Sequence, residues 1–306
     1  MCQLVAEGAH VAMCDVSADN MAETQALAGA NNPHDVRITS HRCDVGVEAD
    51  VLAFRDAVLT QHETDHVNLL FNNAGIGGGG EFVSGARDEW ERTFAVCWYG
   101  VYYGCRAFMD ALVASDEGHI INTSSVNGFW ASIGPDVSHT AYSAAKFAVK
   151  GFTEALITDL RRNAPHIKCS VVMPGHIGTS IAINTGKVLG REEMTAEDVA
   201  QARARLEGRG VAVSNLPDDH IRELMRQQAE DFRDKAPTSA GQAAGIILDG
   251  VRAGRWRILV GDDAHALDAT VRQYPEEAYE PDFALRIAES GHLQALIGEE
   301  APAAQD

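Results

Sequence analysis

Positive charge is scarce in this chain. Its 306 residues carry 25 Lys and Arg against 44 Asp and Glu, a formal net charge of −19. So acidic a surface repels phosphate backbones and anionic lipid, which argues against nucleic acid or a membrane face as a partner. Long apolar runs are missing too, and none approaches the ~18 residues of a membrane-spanning helix. The opening residues, Met1-Cys-Gln-Leu-Val-Ala-Glu7, have neither the basic start nor the apolar stretch of a secretory signal. Six cysteines, at positions 2, 14, 43, 97, 105 and 169, form no C-x-x-C pair. They read as reduced, mostly buried thiols of a cytoplasmic protein. What is left is a globular composition, 45% hydrophobic, sufficient for one large α/β domain or two small ones.

Strand-like and helix-like segments alternate. Short apolar runs at His10–Asp15, Val36–Asp44, Val67–Phe71, Ile120–Thr123 and Cys169–Met173 read as strands. Helical patterns fill Asp19–Gly29, Glu48–Gln61, Arg87–Ala114 and the stretch from Tyr142. Near-continuous apolar strands between helices predict a parallel sheet covered on both faces. Beyond Thr179 the chain turns charged and helical, with Thr195 and Asp198 spaced as a capping box. That segment, about residues 180–235, suits a mobile lid. A helix over 239–252 and a strand at Trp256–Val260 return to the main body, so residues 1–261 read as one domain. Residues 262–306 form an extension, and its Ala-Pro-Ala-Ala-Gln-Asp end is expected to be disordered.

The residues that carry chemistry are Tyr142 and Lys146, in Ala-Tyr-Ser-Ala-Ala-Lys. Four residues apart on a helix, they share one face. An ammonium beside a phenol stabilises phenolate and draws the tyrosine down from its reference value of about 10. Such a tyrosine can trade a proton with a carbonyl or alcohol oxygen near neutral pH. Ser125, ending His119-Ile-Ile-Asn-Thr-Ser-Ser, can hold that same oxygen from a strand end.

These segments, together with Asn72-Asn-Ala-Gly75 and Val171-Val-Met-Pro-Gly-His-Ile-Gly-Thr179, occur in a fixed order. The order resembles the short-chain dehydrogenase/reductase family over about residues 1–185. The resemblance implies a Rossmann-like, doubly wound parallel sheet flanked by helices. It also implies an NAD(P)-dependent oxidoreductase interconverting a secondary alcohol and a ketone. By that resemblance Tyr142 is the general acid/base, while Lys146 lowers its pKa and holds the nicotinamide ribose. Ser125 orients the substrate oxygen. Asp44 meets the adenine, Asn72 and Gly75 flank the cofactor, and Ile177 and Thr179, after Pro174-Gly175, meet the nicotinamide carboxamide. Asp44 reads equally well as an ordinary strand-end aspartate. Asp15 stands where an acid favours NAD, since a 2′-phosphate beside a carboxylate is repelled. Helices in the positions of 87–114 and 142–160 imply a homo-oligomer, a dimer or tetramer. The Ser125–Tyr142 interval is about four residues longer than is usual for the family, implying an enlarged loop, Trp130–Thr140, beside the substrate pocket. Trp98, Phe129 and Trp130 either line a bulky apolar pocket or belong to the core. One departure concerns a family asparagine that helps hold a relay water, where this chain has Cys97.

A nucleotide-binding sheet opens with a strand and a glycine-rich turn that holds pyrophosphate at a helix N-terminus. Only fourteen residues precede Asp15, and Met1–Glu7 reads as the second half of the helix after that turn. The sheet is therefore expected to lack its first strand and to split there into two half-sheets. A truncated form of a longer protein, or a degenerate family member, accounts for this. A catalytically weak or inactive subunit is the corresponding alternative function. Gly75-Ile-Gly-Gly-Gly-Gly80 matches G-x-G-x-x-G formally, yet no helix follows directly, so a flexible turn is the better reading. His62-Glu-Thr-Asp-His66 matches the zinc-hydrolase pattern H-E-x-x-H. It runs from a helix end into a strand with no third ligand in view, so no metal is expected.

Overall fold

The computed structural model describes residues 1–133, 137–191, 193–208, 210–283, 286 and 287. A short helix α1 (Cys2–Ala6) passes through Gly8, at φ +92°, into β1 (Val11–Asp15) and α2 (Ala18–Gly29). Then come β2 (Ile38–Arg42), α3 (Glu48–Gln61), β3 (Leu69–Asn72), α4 (Arg87–Phe94), α5 (Gly100–Val113) and β4 (Gly118–Thr123). The chain continues through α6 (Thr140–Asn163), β5 (Ile167–Pro174), β6 (Ile177–Gly178), α7 (Ile181–Val188), α8 (Ala196–Gly208) and α9 (Asp218–Asp234). It closes with β7 (Thr238–Ser239), α10 (Ala240–Arg252), β8 (Arg257–Val260) and α11 (Asp262–Gln273).

The main sheet has the order β3-β4-β5-β8, parallel throughout. Its register sets Phe71 opposite Ile121, Ile121 opposite Ser170 and Val172 opposite Ile258. Strand β4 is buried over Gly118–Asn122, because helices cover both faces and leave alternation no role. Strands β1 and β2 form a separate parallel pair, and no ladder joins β1 to β3. The expected split is thus present, and Leu69, on the edge strand beside the gap, is 37% exposed. Side-chain packing holds the halves together instead. Val51 and Val58 of α3 share one cluster with Val101, Cys105 and Phe108 of α5, and Ala12 and Cys14 of β1 pack on it. Helix α1 ties both sides: Val5 packs with Ala28 and Val36, while Gln3 Nε2 donates to Gly241 O (2.9 Å) and Glu7 pairs with Arg252. A cavity of about 410 Å³, lined in part by Leu4, Leu69 and His119, remains nearby.

The expected helix over 87–114 is interrupted by one wide turn, Ala95–Tyr99, that separates α4 from α5. Such π-turns insert a residue without breaking a helix and recur at functional sites. Beyond Thr179, helices α7–α9 include a small core of their own, built on Val199, Leu206 and Ile221. The Thr195/Asp198 box forms as read, with Asp198 N donating to Thr195 Oγ1 (3.2 Å) and Thr195 N to Asp198 Oδ2 (2.9 Å). Helix α11 packs on β8, and Leu267 joins Ala278, Phe283 and Trp130 in a further cluster. The Ala301–Asp306 end lies outside the described residues. Among the described residues no helix is long and apolar enough to cross a membrane, and all six cysteines are free.

Two histidines, the buried His119 and the half-buried His139, are held neutral near pH 7. Ser170 Oγ gives its one proton to Arg255 O (2.6 Å), so His119 Nε2 must donate to Ser170 Oγ (2.7 Å). Burial lowers His119 from 6.5 to about 4, with Lys168 acting the same way, and burial lowers His139 to about 4. Both rings bind a proton more weakly folded than unfolded, so their contribution is complete above pH 6.5 and is lost as pH falls toward about 4. For His119 the loss reaches about 3 kcal/mol. Thermal melts are therefore expected to show a Tm that declines steadily between those pH values, with a smaller decline in His119→Gln. An unchanged Tm from pH 7 to pH 4 would contradict this.

Candidate active site

The site forms where β3, β4 and β5 end, because parallel strands deliver their carboxyl ends to one edge of the sheet. Helix α6 carries Tyr142 and Lys146 into it, and the start of that helix is set by the glycine run. The first amides of a helix lack internal partners. Here Thr140 N donates to Gly80 O (3.0 Å) and Ala141 N to Gly79 O (3.0 Å). The approach is possible only without side chains: a Cβ on Gly79, at φ +65°, would lie 2.6 Å from Ala141 Cβ. A Cβ on Gly80 would lie 2.6 Å from Ser138 O. The run expected as a flexible turn is instead a packed seat for the tyrosine helix. Trp90 Nε1 adds a bond to Thr140 Oγ1 (3.1 Å).

Lys146 is 2% exposed, and its Nζ donates to Thr123 O at the end of β4 (2.9 Å). The ammonium lies 5.4 Å from the centroid of the Tyr142 ring. Ser124 Oγ donates to Lys146 O (2.7 Å), pinning strand end to helix. Ser125 is buried, accepts a bond from Asn127 N (3.1 Å), and lies near enough to Tyr142 to influence its proton. Asn127 in turn donates to Trp130 O (3.1 Å) and Ser132 O (2.8 Å), fixing the turn after the serine. Thus Ser125, Tyr142 and Lys146 meet as the sequence implied. Gly75 borders the same group, where a Cβ would sit 3.5 Å from Lys146 Nζ. Cys97 is also here, fully buried, with Sγ donating to Ile76 O (3.3 Å).

The electrostatics differ from the expectation. Burial raises the Tyr142 pKa; the Lys146 charge pulls it down, Cys97 adds a smaller upward push, and the Ser125 hydroxyl lowers it. Desolvation of the phenolate outweighs the neighbouring ammonium, so the phenol is held protonated. The His139 ring lies 4.7 Å from the Tyr142 ring and is neutral near pH 7.

Other residues singled out in the sequence have partners of their own. Asp15 is exposed at the end of β1, its Oδ1 accepting from Ser17 N (2.8 Å). Asp44 is held by Arg92 through both oxygens (3.0 and 2.7 Å) and by Gly46 N (2.9 Å), an ordinary strand-end anchor. Asn72 Nδ2 donates to Asn122 Oδ1 (2.8 Å), and Asn122 Nδ2 to Thr153 Oγ1 (3.0 Å), a polar ladder inside the core. Pro174 ends β5 opposite Val260; Ile177 pairs with Thr238, and Thr179 N donates to Ile177 O (2.8 Å). The zinc pattern does not assemble. Helix α3 ends at Gln61, Glu63 has φ +53°, His62 Nε2 bonds Thr39 Oγ1 (2.9 Å) and His66 pairs with Asp65 (3.0 Å). Among the described residues no three His, Cys, Asp or Glu side chains gather for a metal ion.

Sequence reasoning missed the part played by residues 262–287. Trp130 is 5% exposed, and its Nε1 donates to Ala278 O (2.7 Å) while Ala131 N donates to Tyr279 Oη (3.0 Å). Trp98 stacks on Tyr102 and meets Phe152 edge-on, so Trp98 and Trp130 belong to the core. Of the enlarged loop, residues 134–136 lie outside the described residues.

A Gly79→Ala variant is expected to lose about 1–3 kcal/mol, from positive φ and the clash with α6 together. Urea unfolding measures this, and a change below 0.5 kcal/mol would mean that the run is loose.

A family model described as short chain dehydrogenase matches residues 1–189. The putative oxidoreductase SadH of Mycobacterium tuberculosis is 33% identical over 264 residues, covering 86% of this chain and 81% of that protein. A short chain dehydrogenase/reductase from Burkholderia phymatum, solved in complex with NAD, is 28% identical; it superimposes with a TM-score of 0.64 over 92% of this chain and 88% of its own. A metagenomic short-chain oxidoreductase in complex with NADP is also 28% identical, with a TM-score of 0.50 over 63% of this chain and 84% of that one.

Proposed function

The chain belongs to the short-chain dehydrogenase/reductase family of oxidoreductases, and from that premise we propose that it interconverts a secondary alcohol and a ketone. One observation carries the reading: a buried lysine, a half-buried tyrosine and a strand-end serine meet at one point bordered by Gly75.

A nicotinamide dinucleotide is the hydride carrier in this reading, as in the NAD and NADP complexes of the two similar structures. The ribose and nicotinamide end fits. Gly75 leaves open space beside Lys146 Nζ that a side chain would narrow, and Pro174, Ile177 and Thr179 would meet the nicotinamide from the loop after β5. Lys146 would hold the ribose hydroxyls, and Asn72 and Asp44 would contribute to the cofactor wall through their backbones, their side chains being engaged elsewhere. Asp15, exposed and without a cationic partner among the described residues, favours NAD over NADP by charge. At the pyrophosphate end, β1 passes into α2 through Ser17 with no glycine turn between them.

When bound, the dinucleotide accepts or donates the hydride at the carbinol carbon. The chain's own work is on the proton. Ser125 fixes the substrate oxygen, and Tyr142 donates its phenolic proton to a ketone or receives one from an alcohol. Burial holds Tyr142 in the protonated form that donates to a ketone, and alcohol oxidation uses the phenolate form that Lys146 favours. Cys97 offers only a weak donor, which is given to Ile76 O. Dimers or tetramers through α4–α5 and α6, and a cytoplasmic location, complete the proposal.

NADH fluorescence titration of the chain is expected to give saturable binding. Tyr142→Phe should keep that binding and cut kcat at least ~10³-fold. A folded protein that binds no NADH fits an inactive member of the family and sinks the proposal. Alcohol oxidation should accelerate with rising pH into the alkaline range, as the raised phenol requires; a plateau already reached at pH 7 would contradict that. Cys97→Asn is expected to raise kcat, with loss or no change as the opposing result.

A further inference from the structure

We propose that Asp263, in the first turn of α11, is a positioning residue for the loop Gly175–Thr179. The proposal rests on the preceding reading only where it concerns the cofactor. Asp263 is 4% exposed, and its Oδ2 accepts a hydrogen bond from His176 N at 2.6 Å. Its other oxygen, Oδ1, is buried with no partner among the described residues. The carboxylate sits in a notch between the ends of β5 and β8. A Cβ on Gly175 or on Gly261 would collide with it, so both strand ends are shaped around this group. Gly261, at φ +100°, turns the chain from β8 into α11 and so aims the aspartate at the loop.

A stabilising role alone does not account for this arrangement. A buried carboxylate with a single hydrogen bond costs stability, and an apolar residue of similar size would cost less. The helix N-terminus tolerates the charge. What the charge contributes is direction, a short charge-assisted bond that orients one peptide of the loop. The same residue is gripped from its other side, where His176 Nε2 donates to Phe232 O (2.7 Å) and the two rings lie 4.2 Å apart. Ile177 then enters the β6–β7 pair opposite Thr238. The loop assigned to the nicotinamide is thereby fixed by three elements distant in sequence, α9, β7 and α11, and Asp263 supplies the bond that sets its first peptide.

Asp263→Ala and Asp263→Asn separate this from a general packing effect. Hydrogen exchange of the cofactor-free protein should speed about tenfold over residues 175–178 in Asp263→Ala, the loss of one charge-assisted bond, with the β4 and β5 amides unchanged. The Kd for NADH should rise by a similar factor while kcat at saturating NADH stays within about twofold. Asp263→Asn, whose carbonyl still accepts from His176 N, should restore exchange protection and most of the affinity. Unaltered exchange at His176 in the alanine variant overturns the proposal. So does faster exchange with unchanged NADH affinity, or an asparagine variant no better than alanine. A wild-type chain that binds no NADH defeats the functional reading instead, and exchange at His176 then decides by itself whether Asp263 holds the loop.

Discussion

The buried ammonium of Lys146 is the constraint around which this structure is arranged. A charge at 2% exposure survives only with partners, and the Thr123 carbonyl at the end of β4 supplies one. That carbonyl is available because β4 stops there, and the lysine reaches it because α6 begins against the glycine run and crosses the strand end within its first two turns. The phenol of Tyr142 is drawn into the same dry space. Burial then acts on the two groups in opposite ways. It strengthens the influence of Lys146 on its neighbours, since fewer waters screen it, and it penalises the phenolate that this influence would favour. The balance leaves Tyr142 protonated.

Two kinds of cohesion hold the sheet. Within β3-β4-β5-β8 it is the hydrogen-bond ladder; between that sheet and the β1–β2 pair it is side-chain packing through α3, α5 and the short α1. Apolar contact is non-directional and tolerates a gap in the ladder, whereas backbone groups facing the gap depend on water for their bonds. The residues that define the reactive cluster all lie on the β3–β5 side of the split. Asp15 and Asp44, which follow the two strands of the β1–β2 pair, are the proposed cofactor contacts on the far side.

Residues after β8 link the two loops that flank the cluster. Asp263 binds the loop after β5, and Ala278 and Tyr279 bind the turn after Ser125 through Trp130 and Ala131. The buried Arg257–Asp268 pair, with Arg272 joining it, anchors α11 to β8. The chain's last described segment is therefore bonded to both sides of the reactive cluster.

Much of this was legible in the residues. Helix α3 has the bounds its pattern predicts, Glu48–Gln61, and the capping residues Thr195 and Asp198 pair as their spacing requires. The meeting of Ser125, Tyr142 and Lys146 followed from helical spacing and motif order, and the split beside β1 from the few residues before Asp15. These are local properties, set by which residues neighbour one another along the chain. The tertiary structure decided the rest. It turned a glycine run into a helix seat, put Asn72 and Asp44 into structural bonds, moved Trp98 and Trp130 into the core, and raised a phenol that its neighbour alone would have lowered. It also brought Asp263 to His176, 87 residues away in sequence. Desolvation and long-range contact depend on what packs against a group from elsewhere in the chain, and local sequence carries no record of that.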